Sequence, residues 1–251
     1  MSGTESGGVQ SVERAFDVLE ALARAEHELT VAEVAAATQL AAPTAHRLLR
    51  TLLSRGYVQQ TDSRGYALGS GLIHLGKRAT PELATLAQGV LADLEEASEE
   101  TANLAVLDGD LVAYIAQMPS RHRMRIFTEV GRRVLPHASG VGKAILSTLP
   151  ETRVREIIAR TGLPKYTPST LTTDSALLAD LRESRRRGFA VDDGEQEVGV
   201  RCIAVPIPGS SPPAAVSISG PVARVTDAKS SALTVALMRA AASLASAATR
   251  G

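Results

Sequence analysis

Thr30 to Leu68, TVAEVAAATQLAAPTAHRLLRTLLSRGYVQQTDSRGYAL, decides the fold of the first part of the chain. Thr30-Val31-Ala32-Glu33 has the Thr-x-x-Glu form of a capping box, in which each side chain reaches the other residue's backbone N–H, and it opens a short helix to about Thr38. Gln39-Leu40-Ala41 is a brief turn. Pro43, with its fixed φ, suits the first position of a third helix that runs to Ser54 and that Gly56 ends. Ala45, Leu48, Leu49 and Leu52 lie at i, i+3, i+4 and i+7 of that helix and form one apolar face. Thr44, Arg47, Arg50, Thr51 and Ser54 then point outward with no acidic side chain among them, and His46 sits at the flank. YVQQT and YAL read as two short strands joined by Asp62-Ser63-Arg64-Gly65, with Arg64 at the tip.

Upstream, Val12, Ala15, Phe16, Val18, Leu19 and Leu22 recur at helical spacing, so a first helix is expected from Ser11, as N-cap, to about Ala25. Three helices and a hairpin make a winged helix-turn-helix. Charge supports a role for it. Residues 1–39 carry two arginines against seven carboxylates, whereas residues 40–78 carry six cationic side chains against Asp62 alone. A basic unit on an acidic support suits duplex DNA. Arginine reads guanine bidentately and threonine can touch a thymine methyl, so Thr44, Arg47, Arg50 and Thr51, with Pro43 beside them and Arg64 on the wing, are the candidate DNA-binding residues. Aromatics are only 3% and tryptophan is absent, which removes the stacking platforms of single-strand and RNA binders.

The chain has 251 residues, 44% of them hydrophobic, enough for two ordinary domains. Its polar start, MSGTESGGVQ, has no apolar h-region, and no apolar run approaches the length of a membrane span. A cytoplasmic location and no membrane partner are expected. The single cysteine, Cys202, excludes an internal disulfide, and the five histidines show no metal-ligand spacing, so no metal or cofactor is expected.

In the remainder, Ser70 to Thr80 reads as a helical link, and Pro81 begins a long helix to about Glu100. Ala102–Leu107 and Leu111–Gln117 flank Asp108-Gly109-Asp110, a hairpin signal. Further strands are expected at Met124–Thr128, Phe189–Asp192, Arg201–Ile207 and Ala214–Ser219, with helices at about 140–149, 151–161, 174–187 and 226–248. That order predicts an α+β domain with an antiparallel sheet. The expected division is a flexible 1–10, a DNA-binding domain over 11–69, a linker helix over 70–80, and an effector-binding and oligomerisation domain over 81–251.

PHASGVGKAIL, Pro136 to Leu146, resembles a Walker loop but fails at both ends: His137 stands where the first glycine belongs and Ala144 where the Mg²⁺-binding hydroxyl belongs. Orphan N–H groups at a helix start can still hold a carboxylate. Alternatively the glycines only permit a tight turn and close packing. Lys143, in the first turn, is expected to face solvent or a neighbouring subunit. Strand alternation puts Ile203 and Val205 on one face and Cys202 and Ala204 on the other, and Val216 and Ile218 opposite Ser217 and Ser219. The small sides could floor a cavity. Asp193, Glu195 and Glu197 read as solvated turn residues, and Arg185-Arg186-Arg187 as a solvated helix end.

SVERAFDVLEAL, APTAHRLLRTLLSRGYVQQ and RGYALGSGLIHLG, followed by LPHASGVGKAIL, GFAVDDGEQEVGVRCIAVPI and AAVSISGP, resemble the IclR family of bacterial transcription regulators from about Ser11 onward. The resemblance implies a dimer, or a dimer of dimers, that binds a palindromic operator through its winged helices and senses a small metabolite in a GAF-like C-terminal domain. It implies effector contacts at Ser139, Gly140, Val141, Asp192, Cys202, Ser217 and Ser219. The donors and hydroxyls of that set favour a small organic acid. No catalytic residue is assigned. The rival reading is a small-molecule hydrolase or acyl transferase using Cys202 or Ser139 with His137 as base.

Overall fold

The computed structural model describes residues 8–79, 81–126 and 128–248 of a chain that divides into two compact units, Met1–Thr80 and Pro81–Gly251. Residues 1–7 of the expected flexible start, Thr80 of the expected link and Phe127 of the expected strand lie outside the described residues.

In the first unit, α1 spans Gln10–Arg24, α2 Val31–Thr38 and α3 Ala42–Ser54. The N-cap of α1 is Val9, which makes no side-chain cap, so Ser11 lies inside the helix and is not its cap. Thr30 and Glu33 form the full capping box ahead of α2. Gln39 then turns the chain in the left-handed region, at φ 54°, and Pro43 occupies the second position of α3 instead of the first. Ala45, Leu49 and Leu52 of α3 pack with Val18, Leu22 and Val34 into one core. Val12 and Phe16 of α1 stay exposed. Strands β1 (Val58–Gln60) and β2 (Tyr66–Leu68) form an antiparallel hairpin. Tyr66 exchanges backbone hydrogen bonds with Leu29, at 2.7 and 3.0 Å, and this fixes the hairpin to the segment leading into α2. The last helix, α4 (Gly71–Ala79), buries none of its residues.

The second unit opens with α5 (Glu82–Ser98), whose N-cap is Pro81. Its sheet has six strands, all antiparallel: β3 (Thr101–Asp108), β4 (Leu111–Met118), β5 (Arg133–Val134), β6 (Ala190–Asp193), β7 (Val200–Ile207) and β8 (Ala214–Pro221), in the order β5-β4-β3-β8-β7-β6. The expected strand at 124–128 is absent among the described residues. Two of its carbonyls are bonded to side chains instead: that of Met124 accepts from the Arg224 guanidinium at 2.9 Å and that of Ile126 from Thr101 Oγ1 at 3.2 Å. The chain rejoins the sheet at β5, two residues long, opposite Val112 and Ala113.

Alternation gives the sheet two different faces. Leu104, Ile203, Val205, Val216 and Ile218 meet α5 and α9 (Asp227–Ala248) in a large apolar core. By length and composition α9 passes the test for a membrane span, contrary to the expectation from sequence, but Leu233, Leu237 and Leu244 are spent on this core. The opposite face carries Ala105, Ala204 and Ala215, small enough for α6 (Gly140–Thr148) to lie close against the strands. Around α6 pack α7 (Glu151–Thr161) and α8 (Asp174–Arg187), through Leu146, Ile157 and Leu177. The arginines ending α8 are not merely solvated. Arg185 donates to the carbonyls of Ser147 and Leu149 at 2.6 and 2.7 Å, closing the end of α6, and Arg187 donates to the Phe189 carbonyl and covers its ring.

Candidate functional site

The first unit presents α3 as a cationic surface. Because Ala45, Leu49 and Leu52 face inward, Pro43, Arg47, Arg50, Thr51 and Ser54 are exposed and Thr44 is half-buried. Thr51 Oγ1 donates to the Arg47 carbonyl at 3.0 Å and Ser54 Oγ to the Thr51 carbonyl at 2.8 Å, so both hydroxyls keep acceptor capacity for a ligand. Thr44, Arg47 and Thr51 also border an open groove with Val12, Phe16 and Leu72. Arg64 is exposed in the hairpin turn with φ 66°, and Ser63 beside it is bonded to Glu28.

In the second unit the α6 start and the sheet enclose a cavity of about 70 Å³. Register builds its floor: Ser219 lies opposite Cys202 and Cys202 opposite Asp192, so three adjacent strands put a hydroxyl, a thiol and a carboxyl in one row. Ser139 caps α6 by accepting the Gly142 N–H at 3.2 Å, while the N–H groups of Gly140 and Val141 meet no acceptor among the described residues. Both glycines are required by contact. A β-carbon on Gly140 would come within 2.6 Å of the Cys202 sulfur, and one on Gly142 would run into the Pro136 carbonyl.

Ser139, Gly140, Asp192, Cys202 and Ser219 line this cavity. Val141 and Ser217 do not. Val141 packs with Ala144 and Ile145 against the sheet, and Ser217 is fully buried one row deeper, beside Asn103, with no oxygen or nitrogen partner for its Oγ. The sequence reading missed Tyr114, Thr128, Arg132 and Gln196, which also line it. Tyr114 had a signal, its alternation with Val112 on the α6 side of β4. The other three sit in irregular segments that only the fold brings to the cavity.

Burial governs the chemistry. It pushes the Asp192 carboxyl up to about 6, against the Glu195 N–H that donates to Asp192 Oδ1 at 2.7 Å, and it pushes the Cys202 thiol up to about 11. Lys143 overturns its expectation: it is fully buried, and its ammonium is bonded to Glu195 and lies 3.3 Å from Asp180. It therefore cannot serve as a phosphate-binding lysine. Glu195 is likewise buried, its carboxyl pushed up to about 7, and is not a solvated turn residue. Asp193 pairs with Arg201 at 2.8 Å. Thr167 and Thr170 donate at 2.6 Å to the carbonyls of Gly194 and Glu195, clamping the β6–β7 turn.

The parts of a hydrolase do not assemble. His137 Nε2 meets the Pro164 carbonyl at 3.0 Å and its ring stacks on Tyr166, Ser139 Oγ is spent as a cap, and Cys202 is a buried neutral thiol.

Two family profiles match the chain: the IclR helix-turn-helix domain over residues 11–62, and the bacterial transcriptional regulator IclR C-terminal domain over residues 79–246. The chain is 36% identical to the HTH-type transcriptional regulator BhcR of Paracoccus denitrificans, over 96% of this chain and 88% of that protein. It is 38% identical to the transcriptional repressor IclR of Escherichia coli, over 88% and 84%. The crystal structure of the Thermotoga maritima IclR superposes with a TM-score of 0.80 at 27% identity, covering 94% of this chain and 97% of that one.

Proposed function

The chain belongs to the IclR family of bacterial transcriptional regulators, and from that premise we propose that it is a repressor whose hold on duplex DNA is set by a small organic acid. The N-terminal unit acts as a winged helix-turn-helix over residues 11–69. Its α3 enters the major groove, where Arg47 reads a base edge and Pro43, Thr44, Arg50 and Thr51 lie along the backbone, while Arg64 reaches the adjacent phosphates from the wing. Residues 70–80 are the link, and residues 81–251 form a GAF-like domain that binds effector and oligomerises. A single winged helix has too little interface for repressor-like affinity, so two copies, or two pairs, engage a palindromic operator in the cytoplasm.

The observation that carries this reading is the surface of α3, where Arg47 and Arg50 are exposed without an acidic neighbour on the helix. The cavity supports its second half. The N–H groups at the α6 start and the Ser219 hydroxyl suit the oxygens of a carboxylate, and the Cys202 thiol, held neutral by burial, suits a cavity wall better than a nucleophile. Gel shifts with duplex DNA from the promoter region of the protein's own gene test both halves. Specific, salt-dependent binding that a small carboxylic acid weakens is the expected result. Binding of the same strength to unrelated duplexes, or indifference to every acid tried, is the result that rejects it.

A further inference from the structure

The cavity and the layer beneath it hold more carboxyls than cations. Asp192, 4% exposed, lines the cavity from β6. Below it, Glu195 and Asp180 of α8 share the buried ammonium of Lys143 on α6, and Glu195 Oε2 has no hydrogen-bond partner among the described residues. Other charged or titratable groups approach Asp192 from each neighbouring element. Asp193 is turned away onto Arg201, Glu197 and the exposed Arg132 line the outer part of the cavity, and Cys202 of β7 and Tyr114 of β4 are neutral, both acids held back by burial. Among the described residues no cation other than Lys143 is buried beside Asp192, and Lys143 is already outnumbered.

We propose that a carboxylate effector enters this cavity together with a proton, which Asp192 takes up and then donates as a hydrogen bond to the ligand. This rests on reading the cavity as the effector site. A ligand carboxylate at the N–H of Gly140, which lines the cavity, lies in the same small enclosure as the Asp192 carboxyl, and two carboxylates sharing a site cannot both stay ionised. Lys143 cannot neutralise the newcomer because its charge is committed to Glu195 and Asp180, and Arg132 is exposed to water, which screens it. The backbone N–H groups of Glu195, at 2.7 Å from Oδ1, and of Gln196 hold the Asp192 carboxyl in place, and a carboxyl that takes up one proton keeps acceptor capacity for them while its O–H donates to the ligand. With its carboxyl already pushed up to about 6, Asp192 is mostly ionised in the free protein at pH 7 and holds a proton in the complex. Affinity for the anion therefore falls by up to about tenfold for each pH unit above that value.

Titration calorimetry of the full chain against acetate, glycolate, lactate and succinate, at pH 6, 7 and 8 and in two buffers of different ionisation enthalpy, tests this. The expected result is uptake of nearly one proton per acid bound at pH 7 and an affinity about tenfold weaker at pH 8. Asp192→Asn is neutral and keeps both the acceptor and a donor, so it should bind the same acid with no proton uptake and no fall in affinity between pH 6 and 8. An acid that binds the wild type without proton uptake, or a variant that keeps the pH dependence, overturns the proposal and leaves the effector site standing. If no acid binds either protein at any of these pH values, the effector site itself is wrong and the proposal falls with it.

Discussion

Gly140 lies against Cys202 so closely that the first carbon of any side chain at residue 140 would overlap the sulfur. The start of α6 is held at the floor of the cavity by this contact, and the size of the cavity is set by it. Gly140→Ala should push α6 away from β7, at a cost of about 1–3 kcal/mol from overpacking, and should remove the thermal shift produced by small acids. Adding Cys202→Ala to that variant should recover part of the stability. Urea midpoints for the three proteins check this, and a Gly140→Ala protein as stable and as responsive as the wild type counts against it.

Arg47→Ala should remove sequence-specific DNA binding, because a bidentate arginine contact is worth about 1–3 kcal/mol and a dimer uses two of them. Thr44→Ala and Arg50→Ala should weaken binding less. Fluorescence anisotropy on a duplex from the protein's own promoter region, at a fixed salt concentration, measures all three. Equal losses at Arg47 and Arg50 would mean that α3 makes phosphate contacts only.

Ser217 and Ser219 should separate. Ser217 Oγ is buried with no oxygen or nitrogen partner and only the weakly bonding Cys202 thiol beside it, so Ser217→Ala should change stability by no more than about 1 kcal/mol. Ser219 lines the cavity, so Ser219→Ala should weaken the response to acid while leaving unliganded DNA binding intact. A larger loss of stability in Ser217→Ala would show that the hydroxyl has a stronger partner.

Stability of the second unit should fall as pH rises. The carboxyls of Asp192, from 3.8 to about 6, and Glu195, from 4.5 to about 7, are raised in the folded state. They bind protons more tightly folded than unfolded, so their contribution is full below about pH 4 and is lost as pH rises through 6 and 7. Asp110 and Asp193, held below the usual range by Arg160 and Arg201, act the other way in stronger acid, and the single group His137, held down by burial, offsets part of the effect as pH falls toward 5. Urea midpoints at pH 5 and pH 7.5 should differ, with the lower value at pH 7.5, and Asp192→Asn should narrow the difference.

Lys143→Met should cost about 3–5 kcal/mol at pH 7.5, because it leaves the buried Glu195, and the half-buried Asp180, without their cation. The loss should shrink at pH 5, where Glu195 is protonated. A pH-independent loss would assign the effect to packing alone.

The sequence disclosed what depends on neighbours along the chain. The capping box of Thr30 and Glu33, the inward face of α3 and the alternation in Cys202–Val205 and Val216–Ser219 are all local patterns, and the strands place them as those patterns require. Met124–Thr128 misled because alternation says nothing about who satisfies the backbone, and Thr101 and Arg224 bond two of its carbonyls from elsewhere. β5 is too short to leave a pattern. Lys143 and Glu195 could not be paired in advance, since nothing near either residue announces that α6 is buried on every side. Their meeting follows from β6 and β7 lying beneath α6, which is a property of strand order.

The pairing of residues 101–106 with 214–219 also sets a schedule for synthesis. The first unit closes its core with residues 18–66, all made early, whereas β3 has no partner on one side until β8 leaves the ribosome. At ~5–20 residues per second that delay is roughly five to twenty-five seconds. During it the growing chain carries a helix-turn-helix whose residues are all present, tethered to a second unit whose central strand is paired along β4 alone.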